Sequence, residues 1–140
     1  MVSVYDIHHS KLIAETAKDL KGKVKEPSFT LFAKTGVNRE RSPDKSDWYY
    51  TRLAAVLRKF YVRGKITTNV LTILYGGKKN NGIEPEHFCK GSGSIARHCA
   101  QDLEKLGYLK KTEDGRAITT EGRKYLDSIA HKVKKAMDKK

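Results

Sequence analysis

Apolar residues recur at helical spacing in five stretches of this chain, and short extended runs separate some of them. The first stretch predicts a helix over 6–21, capped by Asp6, with Leu12, Ile13, Ala17 and Leu20 on one face and Gly22 ending it. Residues 23–46 hold no such pattern, and Pro27 and Pro43 break them up. Within them, 28–34 reads as a short helix and Lys34-Thr35-Gly36-Val37-Asn38-Arg39-Glu40-Arg41 as a basic loop.

The strongest signal is 48–63, introduced by Ser46 or Asp47 and closed by Gly64. Tyr50, Leu53, Ala54, Leu57, Phe60 and Tyr61 follow the helical period, and Ala55, Val56 and Val62 are apolar on other faces. A helix apolar nearly all round belongs at the centre of its domain. Its polar remainder is informative: Arg52, Lys59 and Arg63 fall in one narrow stripe, with Arg58 to the side. Cations bordering a buried helix can simply snorkel to water, which is the alternative to a binding stripe.

A short strand at 65–67 and a helix at 68–75 follow. Tyr75-Gly76-Gly77-Lys78-Lys79-Asn80-Asn81-Gly82 then reads as a glycine-rich basic loop. It lacks the spacing of a nucleotide-binding P-loop. The alternative is a solvated turn. Ser92 or Ser94 caps a helix to about 106, stopped by Gly107. Strands at 108–111 and 116–119 flank Glu113-Asp114-Gly115, a hairpin signal, and Thr119 caps a last helix with Leu126, Ile129, Ala130, Val133 and Met137 on one face. Lys132, Lys134, Lys135, Lys139 and Lys140 form a basic end expected to fray.

The predicted fold is mainly α with a small β-hairpin, a winged-helix-like domain around a central, largely buried helix. Residues 1–140 read as one domain with a basic tail from about 131.

Charge changes this picture from architecture to partner. Lys and Arg number 29 against 16 Asp and Glu, a formal net charge of +13. An excess of that size in a small domain repels itself, and a polyanion relieves it. Nucleic acid is the leading candidate, since each neutralised phosphate releases counterions. The basic residues are spread along the chain rather than gathered on one amphipathic helix, so a membrane surface is not expected. No apolar run reaches membrane-spanning length, and the first residues lack a signal peptide's apolar region, so an intracellular location is expected.

His87, Cys89, His98 and Cys99 raise the question of a metal. His98 and Cys99 are adjacent on the predicted helix, so their side chains diverge by about 100°. Cys99 shares the stripe of Ile95, Leu103 and Leu106 and reads as a small core hydrophobe. No metal and no cofactor are expected. Catalysis is not expected either: there is no G-x-S-x-G elbow and no H-E-x-x-H, and the carboxylates interleave with lysines. Lys90-Gly91-Ser92-Gly93-Ser94 does suit phosphate, because a helix start presents unpaired N–H groups and a positive dipole end. His87 and Arg97 lie near it. The rival is an ordinary capped helix start.

The blocks Trp48-Tyr49-Tyr50-Thr51-Arg52, Arg63-Gly64, Tyr75-Gly76-Gly77, Gly82-Ile83-Glu84-Pro85-Glu86-His87-Phe88, Lys90-Gly91-Ser92 and Ile118-Thr119 to Gly122 occur in an order and spacing that is specific in combination. They resemble the archaeal and eukaryotic small-subunit ribosomal protein nineteen-e family, which has no bacterial counterpart. The match runs over essentially the whole chain. The resemblance implies a structural constituent of the head of the small ribosomal subunit that contacts ribosomal RNA and supports small-subunit maturation, notably in eukaryotes. It also implies basic patches at Arg52 and Arg58 and at Lys90 and Arg97. Where many relatives carry a second basic residue after that arginine, this chain has His98.

The expected RNA-binding residues are thus Arg52, Arg58, Lys59 and Arg63 as one set and Lys78, Lys79, His87, Lys90, Ser92 and Arg97 as another. Expected partners are small-subunit ribosomal RNA, neighbouring small-subunit ribosomal proteins and assembly factors, with no small-molecule substrate. The expected location is the small subunit in the cytoplasm, with nucleolar assembly in a eukaryote. The alternative is a winged-helix transcription regulator placing the helix before the hairpin in a DNA groove.

Overall fold

The computed structural model describes residues 2–138. A 3₁₀ turn at Val4–Asp6 precedes helix α1, His9–Lys21. Asp6 does not cap that helix. Its carboxylate accepts from the Ser3 N–H at 2.7 Å and from the Ser3 hydroxyl at 3.1 Å, closing the 3₁₀ turn instead. Leu12 and Leu20 are buried as their spacing predicts, while Ile13 and Ala17 are half-buried at the margin. The segment expected as a helix over 28–34 contracts to a 3₁₀ turn at Ser28–Leu31.

Helix α2, Trp48–Arg63, is the axle of the fold, with Tyr49, Leu53, Val56, Leu57 and Phe60 fully buried. A buried aromatic with a polar tip needs a partner for that tip. Each one here finds it on a different neighbour. Trp48 Nε1 donates to the Thr30 carbonyl (3.1 Å), the Tyr50 hydroxyl to the Val24 carbonyl (3.1 Å), and the Tyr61 hydroxyl to Asp127 (2.8 Å). Gly64, at φ 75°, ends α2 in a conformation that L side chains rarely adopt. At the other end Asp47 stands in the capping position, but its carboxylate pairs with Lys21 at 2.7 Å rather than capping.

Strand β1 (Lys65–Ile66) and helix α3 (Thr68–Leu74) follow, α3 being capped by the Thr67 hydroxyl, which accepts from the Val70 N–H. After an insertion come helix α4 (Gly93–Lys105) and the strands here numbered β4 (Leu109–Thr112) and β5 (Gly115–Ile118). β5 lies between β1 and β4, antiparallel to both, with Lys65 opposite Ala117 and Leu109 opposite Ile118. Helix, strand, two helices and a hairpin whose second strand pairs with the first strand make a winged helix, as expected. Helix α5, Thr120–Asp138, starts where the Thr119 hydroxyl accepts from the Gly122 N–H, and packs back along α1. Residues 131–138, expected to fray, continue α5, because Ile129, Ala130 and Val133 stay buried. Lys139 and Lys140 lie outside the described residues.

The insertion is the main departure from expectation. Residues 75–90 form a second hairpin, not a loop: β2 (Gly77–Asn81) pairs antiparallel with β3 (Glu84–Cys89). Gly82 and Ile83 make the turn, with Gly82 at φ 77° and its N–H bonded to the Asn80 side chain at 2.9 Å. The register slips between Lys79 and Asn81, and Pro85 sits opposite that irregularity on a strand with one open edge. His87 and Cys89 therefore stand on a strand.

Candidate nucleic-acid interface

Three separate segments meet at the root of the β2–β3 hairpin. Gly91 forms an antiparallel bridge with Gly36, and its N–H donates to the Thr72 carbonyl at 2.8 Å. The Ser92 N–H donates to the Thr35 carbonyl at 3.1 Å. Asn38 wedges its side chain between two backbones: a Cβ at Gly36 would lie 2.8 Å from its Oδ1, and one at Gly77 would lie 2.7 Å from its Nδ2. The 35–41 loop, the hairpin and the approach to α4 thus form one surface, and glycine is what lets the backbones close to this distance.

Arg52 joins that surface from α2. Its guanidinium lies 4.0 Å from the centroid of the Tyr75 ring, a cation–π contact that holds the charge in place while leaving its N–H groups available. Thr35, Arg52, Tyr75 and Ser92 line one small cavity of about 10 Å³. The Tyr75 hydroxyl is buried without a hydrogen-bond partner among the described residues, and burial pushes its phenol up to about 12. Ser92, rather than Ser94, caps α4: its hydroxyl accepts from the Ile95 N–H at 3.3 Å. Lys78 on β2, His87 on β3, Lys90 just before α4 and Arg97 in its second turn are all exposed. Lys79 is half-buried and stands directly opposite His87 in the strand register.

The remaining α2 cations are set apart from Arg52. Arg63 is exposed at the far end of the helix, eleven residues on, about 16 Å along the axis. Lys59 and Arg58 are half-buried, and Arg58 Nε lacks a hydrogen-bond partner among the described residues. Arg52 therefore shares its immediate surroundings with Ser92 and the hairpin root, not with Arg63.

Ion pairing separates structural cations from available ones. The six ion pairs among the described residues use Lys18, Lys21, Lys23, Lys65, Lys105 and Arg116. None of Arg52, Arg58, Lys59, Arg63, Lys78, Lys79, Lys90 or Arg97 enters one. Sequence reasoning passed over Lys34, Arg39 and Arg41 as site residues. They are exposed and equally outside those pairs, on the loop that Asn38 fastens to the hairpin. Their signal was present in the basic run around Gly36.

The wing closes part of α4. Arg116 of β5 pairs with Glu104 at 3.0 Å, and Lys65 with Asp114 at 2.6 Å. On the outward face of α4, Arg97 and Gln101 remain exposed. His98 turns aside: its Nδ1 lies 2.8 Å from the Ser94 carbonyl and its ring packs against Phe29 at 4.9 Å. Cys99 is fully buried and burial pushes its thiol up to about 12, while the neighbouring Tyr49 hydroxyl donates to Asp102 at 2.7 Å. Among the described residues no three His, Cys, Asp or Glu side chains gather as a metal site would require. No helix among the described residues is long and apolar enough to cross a membrane.

A family model described as ribosomal protein S19e matches residues 3–136. Small ribosomal subunit protein eS19G of Ascaris suum is 41% identical over 136 residues, covering 94% of this chain and 92% of that protein. Small ribosomal subunit protein eS19 of Thermoplasma acidophilum is 38% identical over 142 residues, covering 100% and 95%. Small ribosomal subunit protein eS19A of Schizosaccharomyces pombe is 41% identical over 135 residues, covering 94% of each.

Proposed function

The chain belongs to the ribosomal protein S19e family, and from that premise we propose that it is a structural, non-catalytic constituent of the small ribosomal subunit that binds ribosomal RNA through its unpaired cations. The observation that carries the reading is the hairpin root. There Arg52 lies against Tyr75, Lys78 stands on the first strand of the hairpin, Lys90 precedes the capped start of α4 and Arg97 follows in its second turn, none of them in an ion pair among the described residues. A phosphate at that point meets fixed positive charge and a helix N-terminus together. Arg58, Lys59 and Arg63 supply a second contact along α2. Most of these groups seek phosphate, so binding follows RNA shape and backbone more than base sequence. Support of small-subunit maturation, contacts with neighbouring subunit proteins and assembly factors, residence in cytoplasmic subunits and, in a eukaryote, nucleolar assembly belong to the same proposal.

With about six phosphates neutralised, the logarithm of affinity for small-subunit ribosomal RNA falls against the logarithm of salt with a slope of roughly −4 to −5. A salt-independent complex overturns the reading, as does absence of the tagged protein from small-subunit fractions on a sucrose gradient. The winged-helix architecture favours one rival, a DNA-binding regulator with α4 in the major groove. Arg97 and Gln101 are then the base readers, with Glu104 engaged by Arg116. Duplex DNA and structured small-subunit RNA, compared at matched salt, separate the two, and preference for the duplex selects the rival.

A further inference from the structure

Phe88 is more than half exposed (54%) on a strand of the hairpin, and it is anchored there. A Cβ at Gly76 would lie 2.7 Å from the tip of the Phe88 ring and 2.5 Å from the Cys89 carbonyl oxygen. The ring tip therefore rests on bare backbone, in a space that only glycine at 76 leaves open. Lys78 stands directly opposite Phe88 in the register, so both side chains rise from the same face of the hairpin. Lys90 follows two residues later. Toward the tip the charge reverses: Glu86 precedes Phe88 by two residues and enters no ion pair among the described residues, while the register slip pairs Glu84 with Asn81, out of step with Lys78 and Phe88. An anionic ligand is thus favoured at the root of this face and disfavoured along its outer half.

An aromatic held by its edge beside cations offers an unpaired nucleotide two things at once. The ring receives the base, and Lys78 and Lys90 receive the flanking phosphates. A base still paired in a duplex cannot reach the ring, because its faces are occupied by its neighbours in the stack. We infer that Phe88 is a stacking platform for one unpaired base of the bound RNA, set at the hairpin root between Lys78 and Lys90. This rests on the RNA-binding reading above and names the RNA element that the hairpin takes: a bulge, loop or junction rather than continuous helix.

The test uses the full chain and a transcript of small-subunit ribosomal RNA. Phe88→Leu keeps an apolar contact on Gly76 but removes the flat ring, and circular dichroism checks that it folds. Phe88→Tyr keeps the ring. Phe88→Trp adds a reporter whose only intrinsic background is the buried Trp48. The expected result is a loss of about 5- to 100-fold in affinity for the leucine variant with the salt slope unchanged. The tyrosine variant retains parental affinity, and the added tryptophan is quenched on binding. Unchanged affinity in Phe88→Leu, or an unquenched tryptophan at saturation, overturns the inference while leaving RNA binding intact. A parent protein that does not bind the transcript overturns the underlying reading instead.

Discussion

Replacing Gly91 by alanine should weaken the protein at one point, and the cost can be worked from distances. A Cβ there would lie 2.8 Å from the Tyr75 carbonyl oxygen, 3.0 Å from its carbon and 3.4 Å from the Gly76 nitrogen. All three are backbone atoms, so no side chain can swing aside. Relief requires moving the end of α3 away from the approach to α4, against the hydrogen bond from the Gly91 N–H to the Thr72 carbonyl. Forcing a methyl into such a place costs about 1–3 kcal/mol. Against this, alanine restricts the unfolded chain and returns about 0.4–1 kcal/mol. Taken at the middle of both ranges the net loss is roughly 1.3 kcal/mol, read as a fall in the urea midpoint of somewhat under 1 M at unchanged m-value. Gly82→Ala at the hairpin tip is the comparison: nothing lies within 4 Å of its Cβ, and only its φ of 77° opposes the change. Because Gly91 also holds Ser92 against Thr35, the Gly91 variant should lose RNA affinity, whereas the Gly82 variant should not. A Gly91→Ala protein as stable as its parent refutes the close-approach argument.

Tyr75→Phe deletes a buried hydroxyl that has no partner among the described residues, so stability should hold or rise by roughly 1 kcal/mol; a urea midpoint well below the parent's contradicts this. Cys89 is half-buried and Cys99 fully so, with a thiol that burial pushes up to about 12. Ellman's reagent at mildly alkaline pH should therefore label Cys89 in the native protein and Cys99 only after unfolding, and equal rates for both would refute the assignment. Burial first, and then the hydrogen bond to Asp127, push the Tyr61 phenol up to about 12, above its ordinary value of 10.0. The protonated form is favoured by folding, so this contribution is complete below about pH 10 and is lost as pH rises through about 12. Tyr61→Phe should flatten that alkaline part of the urea-midpoint profile, and parallel profiles for parent and variant would refute the cause.

What the sequence made legible was whatever local pattern dictates. Trp48–Arg63 was bounded to the residue, because an apolar run that covers most of a helix surface and ends in Gly64 has few other solutions. The wing was visible in the residues around Asp114-Gly115, and β1 in Lys65-Ile66. The β2–β3 hairpin was not seen, since Lys78 to Asn81 is polar on both faces and offers no alternation, although Asn81-Gly82 is itself a hairpin signal. Caps failed where a carboxylate had a better partner: Ser3 claims Asp6, and Lys21 claims Asp47. At the candidate site the cations were legible one by one, but their grouping was not. Arg52 meets Tyr75 across 23 positions of sequence, and Asn38 meets Gly77 across 39, distances over which no periodicity speaks.

The chain leaves the body at Gly76 and re-enters it at Gly91, and those two points already touch through the backbone of Tyr75 and Gly76. The winged helix is consequently indifferent to how many residues lie between them. A longer arm, a shorter one or a differently charged one can be spliced at this seam without changing the path of α3 or α4. The arm's reach and polarity are free to vary with the surface it meets, while the glycines at the seam are not.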